Sequence, residues 1–166
     1  MPKTLIRPLG EDDWPLLKAL RLRALSDSPD SFGTTYESAV VEPERYWRAW
    51  AKGQPGQSQA WAAFVNGETV GLVAAGMTEG AVGHCRSLWV APEGRRSGLG
   101  RELIETACEW LARSGCGRVE LDVTEGNPAE RLYLALGFRR TGERQPLREG
   151  SALFEVTLVR DLPLRA

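Results

Sequence analysis

The run Arg95-Arg96-Ser97-Gly98-Leu99-Gly100 lies between a β-rich stretch and a helix with one apolar face. A helix N-terminus offers unpaired backbone N–H groups and a partial positive charge, and Gly98 and Gly100 carry no Cβ to hold an anion's oxygens away from those amides. Arg95 and Arg96 add guanidinium forks suited to a pyrophosphate. A plain surface turn with solvated arginines would read the same way. Two familiar phosphate loops do not fit. Gly100 is followed by Arg101 and Glu102, where a Walker A loop needs lysine and a hydroxyl, and Leu103 takes the place of a dinucleotide fingerprint's third glycine.

Other chemistry-bearing groups are few. The single histidine is His84, so a multi-histidine metal site is excluded and a Ser/His/Asp hydrolase would have to use that one ring. Cys85, Cys108 and Cys116 form no Cys-x-x-Cys pair. Their odd count points to reduced thiols, and no metal is expected. Glu120 and Asp122 alternate with Val119, Leu121 and Val123, which puts two carboxylates on one face of a strand expected to be largely interior. Either that face meets solvent or an arginine, or the acids attract a cation.

Positioning these groups takes an alternation of strands and helices. Residues 4–9 read as a strand, after which Asp12 or Asp13 caps a helix with Pro15 in its first turn and Leu16, Leu17, Leu20 and Leu25 as its stripe. Residues 26–33 are turn-rich, and Glu42 or Pro43 starts a short helix bearing Tyr46, Trp47 and Trp50. Residues 59–65 and 69–75 flank Asn66-Gly67, a type I′ hairpin signal. A strand at 83–90 stops at Pro92, and the longest helix spans 99–114. A strand at 118–123, a helix at 128–136 closed by Gly137, and extended chain from Phe138 to a last strand at 152–159 complete the order. This predicts an α/β fold of the α+β type, a mixed sheet covered by helices.

The 166 residues, 42% hydrophobic and 26% charged, suit one soluble domain spanning 1–166 and exclude extensive disorder. A net charge of -1 makes nucleic acid an unfavoured partner. No apolar run approaches the roughly 20 residues of a membrane helix, and the N-terminus lacks a signal peptide's apolar core. A cytoplasmic protein without membrane association is the expectation.

The loop motif resembles the Arg/Gln-x-x-Gly-x-Gly/Ala signature of the GNAT superfamily of acyl-CoA N-acyltransferases, here preceded by Val90-Ala91-Pro92. Ala129-Glu130-Arg131-Leu132-Tyr133 followed by Leu136-Gly137-Phe138 is similar to the superfamily's second signature. The core resemblance covers residues 88–138. It implies a single GNAT domain with a mixed, mostly antiparallel sheet whose central strands, ending at Val90 and spanning 118–123, splay apart to admit the pantetheine arm of acetyl-CoA. By position, main-chain groups of Leu88 and Val90 would hold the pantetheine and thioester. The segment Arg95, Arg96, Ser97, Gly98, Leu99 and Gly100 would hold the pyrophosphate.

The resemblance further implies direct attack of a neutral primary amine on the thioester, with Tyr133 at the family position of the acid that meets the departing thiolate. Eleven residues before Arg95, where some members carry a basic carboxylate, stands His84. Its usual pKa of about 6.5 suits proton removal near neutrality, while Glu120 and Asp122 offer a second route for that proton. The second signature often has Asn three residues before its Ala, but Gly126 stands there. Asn127 is thus a cofactor-side candidate that a helix-start turn would equally explain. The acceptor wall is expected from the N-terminal helices and residues 26–42, with Phe32, Tyr36, Glu37, Trp47 and Trp50 as candidates. The acceptor would be a small-molecule or peptide amine, and the family also includes homodimers. The rival reading is a non-catalytic acyl-CoA binding or sensing module.

Overall fold

The computed structural model describes residues 2–163. Strand β1 (Thr4–Pro8) passes through a 3-10 turn at Glu11–Asp13 into helix α1 (Trp14–Asp27). Asp13 does not cap that helix, as its sequence position suggested. Its carboxylate turns back to accept from the Gly10 N–H at 2.8 Å and from Arg7 at 2.9 Å, tying strand to helix. The turn-rich segment that follows contains a helix the sequence did not announce, α2 (Tyr36–Val40), capped by the Thr35 hydroxyl. Helix α3 (Glu44–Lys52) then leads to β2 (Ser58–Val65) and β3 (Glu68–Thr78). Their turn is built as expected, with Asn66 at φ 52° and Gly67 at φ 84°, the left-handed pair that a type I′ turn requires.

Strand β4 (Val82–Val90) leads to α4 (Leu99–Arg113), β5 (Arg118–Thr124), α5 (Ala129–Ala135), β6 (Arg139–Pro146) and β7 (Phe154–Asp161). The seven strands form one sheet in the order β1-β2-β3-β4-β5-β7-β6. All neighbours are antiparallel except β4 and β5. The apolar stripe of α4, from Leu99 and Leu103 to Leu111, is buried against β3 and β4. Helix α1 covers β3 on the sheet's other face, and Trp61 meets Trp110 edge-on at 5.8 Å. Among the described residues no helix is long and apolar enough to cross a membrane.

The two central strands separate because each is committed to a different neighbour. Parallel pairing of β4 with β5 is confined to residues 82–84 against 118–120. Beyond it, β5 pairs with β7 along its whole length, from Arg118 opposite Asp161 to Thr124 opposite Glu155. Strand β4 stays with β3 but carries a bulge. Leu72 pairs with Trp89 and Ala74 with Arg86, leaving an extra residue on β4, and Ser87 takes a left-handed φ of 62°. A bulge bends its strand and sharpens the local twist, and here the bend lies on the stretch that leaves β5.

Candidate active site

The divergence opens a cleft of about 770 Å³. One wall is Cys85, Leu88 and Val90 of β4, the other Leu121 and Val123 of β5, with Tyr133 of α5 and the chain after α1 completing it. Ser87 and Leu88, the residues displaced by the bulge, both line this cleft. Both therefore fall outside the β3–β4 register at this point of the cleft.

At the mouth, the chain leaves Val90 through a 3-10 turn at Pro92–Gly94 and enters α4. Arg96 at φ 63° and Gly98 at φ 84° curl the backbone, and Ser97 Oγ donates to the Gly94 carbonyl at 2.6 Å. The first amide of the helix to be satisfied is that of Glu102, bonded to the Gly98 carbonyl at 3.1 Å. Among the described residues, the N–H groups of residues 96–101 meet no protein acceptor. A Cβ placed on Gly98 would meet nothing within 4 Å, so the approach is open. Together these features make a preformed anion seat.

The two arginines behave differently. Arg96 is exposed and has no partner among the described residues. Arg95 is held back instead: Nε donates to the Val90 carbonyl at 2.9 Å and Nη2 to Asp27 Oδ2 at 2.6 Å. That same oxygen accepts from Trp89 Nε1 at 3.0 Å and the Ser28 hydroxyl at 2.7 Å. The Ser28 hydrogen bond, with those from Trp89 and Arg95, holds the Asp27 carboxyl below its usual range against the effect of burial. Asp27 therefore ties the end of α1 to both sides of the loop. Leu99 points into the core, leaving only its main chain for the anion.

Tyr133 is 7% exposed and packs edge-on to Phe138 at 5.9 Å. Burial raises its phenol above the ordinary value, with Cys85 adding to the shift, so the hydroxyl keeps its proton across the physiological range. No protein acceptor takes that proton among the described residues. Tyr133 thus presents a protonated oxygen on the cleft wall.

On the other side of the splay point lies a second hollow of about 660 Å³, lined by His84, Glu120, Asp122, Glu143 and Thr157 among others. His84 and Glu120 are register partners. His84 Nε2 stands 3.6 Å from Asp122 Oδ2, and Asp122 Oδ1 accepts from the Thr157 hydroxyl at 2.7 Å. Burial pulls the imidazole below its usual value, opposed by the carboxylates of Asp122 and Glu120 and assisted by Arg86. His84 is consequently neutral at pH 7 and able to accept a proton. Asp122 lines both hollows, so the proton-accepting cluster meets the cleft there. The two strand carboxylates face a polar hollow, which explains acids in an otherwise interior strand.

The remaining candidates fall elsewhere. Asn127 lines the cleft, but its side chain is used within the protein: Oδ1 accepts from the Ala129 N–H at 2.9 Å and Nδ2 donates to Ser31 Oγ at 3.0 Å. It starts α5 and docks the chain after α1. Tyr36 and Glu37 sit in the first turn of α2, exposed, and line neither hollow. Trp47 is fully buried, stacked on Trp50 at 5.8 Å. Of the expected acceptor-side residues only Phe32 reaches the cleft. Sequence reasoning missed Asp27, whose role depends on a partner 68 positions away, and the Ser87 bulge, which no residue type signals.

The model of the acetyltransferase (GNAT) family matches residues 22–138, well over half of the sequence. The chain belongs to the GNAT acetyltransferase family. No curated protein matches it. Solved structures resemble this GNAT chain over nearly its whole length. A GCN5-related N-acetyltransferase from Kribbella flavida has a TM-score of 0.77 at 22% identity, covering 96% of this chain and 98% of that one. An acetyltransferase from Salmonella typhimurium, with its cofactor acetyl-CoA, gives 0.75 at 19% identity, covering 99% and 96%. The ribosomal-protein-S18-alanine N-acetyltransferase from Escherichia coli gives 0.72 at 17% identity, covering 99% and 97%.

Proposed function

We propose that this GNAT protein, acting as one transferase domain over residues 1–166, moves an acetyl group from acetyl-CoA to a primary amine. The observation that carries this reading is the cleft between β4 and β5, with free amides at its mouth and a proton-accepting cluster at its apex. The donor fits these residues: the amides of residues 96–101 suit a pyrophosphate, and the bulged edge at Ser87 and Leu88 suits a thioester-bearing arm. Bound acetyl-CoA supplies an activated acyl carbonyl.

The protein's own groups then have separate tasks. The main chain at Leu88 offers an N–H to the negative charge that develops on the carbonyl oxygen. The incoming ammonium first gives one proton to solvent; its neutral nitrogen then bonds to the thioester carbon, and as the carbon–sulfur bond breaks His84, neutral and beside Asp122 and Glu120, takes the second proton that the nitrogen sheds. The acidic hollow raises the local concentration of that cation. Tyr133 gives its hydroxyl proton to the departing sulfur and is later reprotonated from solvent.

A screen of amines with acetyl-CoA and with longer acyl-CoAs, read by released thiol and by product mass, tests the proposal. Amine-dependent thiol release with a product heavier by one acetyl group is expected. Tight CoA binding with no amine-dependent release would favour a sensing module instead.

A further inference from the structure

Between α1 and α2, each of the five residues 29–33 accepts a hydrogen bond from a distant side chain. Arg148, on the turn that joins β6 to β7, supplies three of these bonds. Its Nη2 donates to the Pro29 carbonyl at 2.9 Å and to the Phe32 carbonyl at 2.7 Å, and its Nε donates to the Gly33 carbonyl at 3.2 Å. Thr124 of β5 donates its hydroxyl proton to the Asp30 carbonyl at 2.6 Å, and Asn127 Nδ2 donates to Ser31 Oγ at 3.0 Å. The turn also packs closely on this chain. A Cβ on Gly33 would sit 3.1 Å from the Leu147 carbonyl oxygen, so the approach favours glycine.

This chain walls the cleft on a definite side. Pro29, Asp30, Ser31 and Phe32 line it, together with Leu153 of the same β6–β7 turn. A Cβ on Gly83 would meet Leu111 of α4, so Gly83 and its register partner Val119 face that helix. The next pair, His84 and Glu120, faces away from it, and by strand alternation so do Asp122 and Thr124. Thr124 is the residue that holds Asp30. Residues 29–33 therefore stand on the same side of the sheet as His84 and Asp122, opposite the helix whose first turn carries the free amides.

We propose that Arg148 is a positioning residue for the amine: by gathering three carbonyls it holds residues 29–33 at a set distance from Asp122 and His84, and so fixes the space in which the amine meets the thioester. This deepens the acetyltransferase reading and rests on it. With the coenzyme seated at α4, the amine approaches from the other side of the sheet, where this wall stands. The wall lies in no strand, and its one regular element is the three-residue 3-10 turn Pro29–Ser31, so side-chain ties set its place. A guanidinium, with five donors in a rigid fork, suits three carbonyls of one bend, whereas a lysine ammonium is a point donor.

The test is steady-state kinetics on the full chain with the fastest of benzylamine, spermidine and alaninamide, beside calorimetric titration with acetyl-CoA. Arg148→Ala should raise the KM for that amine by roughly tenfold or more, with kcat within about threefold and acetyl-CoA affinity within about twofold. Arg148→Lys should recover part of the loss. Thr124→Val, which cuts the tie at Asp30 and leaves the turn intact, should move the same KM in the same direction. An amine KM unmoved in Arg148→Ala overturns the assignment, as does a loss of acetyl-CoA affinity as large as the rise in KM, which would make the chain a coenzyme wall. If Arg148→Ala does not fold, Arg148→Lys and Thr124→Val decide by the same criteria. Wild-type acetylation with an unmoved KM in the variants sinks the Arg148 assignment alone, whereas no acetylation of any of the three amines sinks the transferase reading with it.

Discussion

His84 and Glu120 are partners on the last parallel rung between β4 and β5. Past that rung the strands part, so the residues proposed to accept a proton stand at the point of the wedge. The geometry that opens the cleft thereby also places the proposed base beside it. Fold and chemistry are coupled at one pair of residues.

Removing the hydroxyl of Tyr133 isolates the acid step. Tyr133→Phe should lower the chemical step by roughly 10²-fold or more, with acetyl-CoA affinity unchanged. Tm should barely move, because no protein group accepts from that hydroxyl among the described residues. Pre-steady-state thiol release checks this. An unaltered rate would remove the role.

The shift on His84 predicts a pH dependence with a definite sign. Its folded pKa is below the ordinary 6.5, chiefly through burial, so the base stays competent at pH 7 and the acid limb of kcat/KM lies below 6.5. His84→Ala should lose that limb together with most of the rate. The unfolded chain binds the proton more readily, so this residue's contribution to stability is complete above 6.5 and is lost as pH falls through the folded pKa. Urea unfolding of wild type and His84→Ala at pH 7.5 and 5.5 measures the difference. A wild type that gains stability on acidification relative to the variant would contradict the direction.

Asp27 supports the mouth of the cleft from a distance. Asp27→Ala strands the indole N–H of Trp89, which is 4% exposed, and frees Arg95. A loss of about 1–3 kcal/mol is expected from an unsatisfied buried donor, along with weaker acetyl-CoA binding. Chemical denaturation and calorimetric titration check both. Unchanged stability would show that the indole finds another partner.

Gly98 holds φ 84° with open space where a Cβ would go. Gly98→Ala should therefore cost about 1–2 kcal/mol through the left-handed backbone alone, and Gly98→Asn less, since asparagine tolerates that region. Both place a side chain beside the free amides and should weaken CoA binding. Full affinity in both variants would mean that the phosphates sit elsewhere.

How much of this was legible beforehand depended on whether the cause was local. The Asn66-Gly67 turn and the apolar stripe of α4 are local features, and the observed α4 at Leu99–Arg113 nearly matches the expected 99–114. The loop at 95–100 and Tyr133 stand out by motif, and of these Arg95, Gly100 and Tyr133 line one cleft. Tyr36 and Glu37 qualify by residue type alone, and helix α2, which no sequence signal marks, carries them away from both hollows. The last strand runs Phe154–Asp161 rather than 152–159, because its register follows pairing with β5. Arg95 looked free as a sequence, but Asp27 takes it, a long-range ion pair that spacing does not reveal.

The most direct test of the account is a crystal structure of the protein with CoA. It predicts the pantetheine arm between residues 85–90 and 121–124, with the diphosphate on the amides of residues 96–101. A coenzyme found on any other surface, with the gap between β4 and β5 still empty, would contradict it.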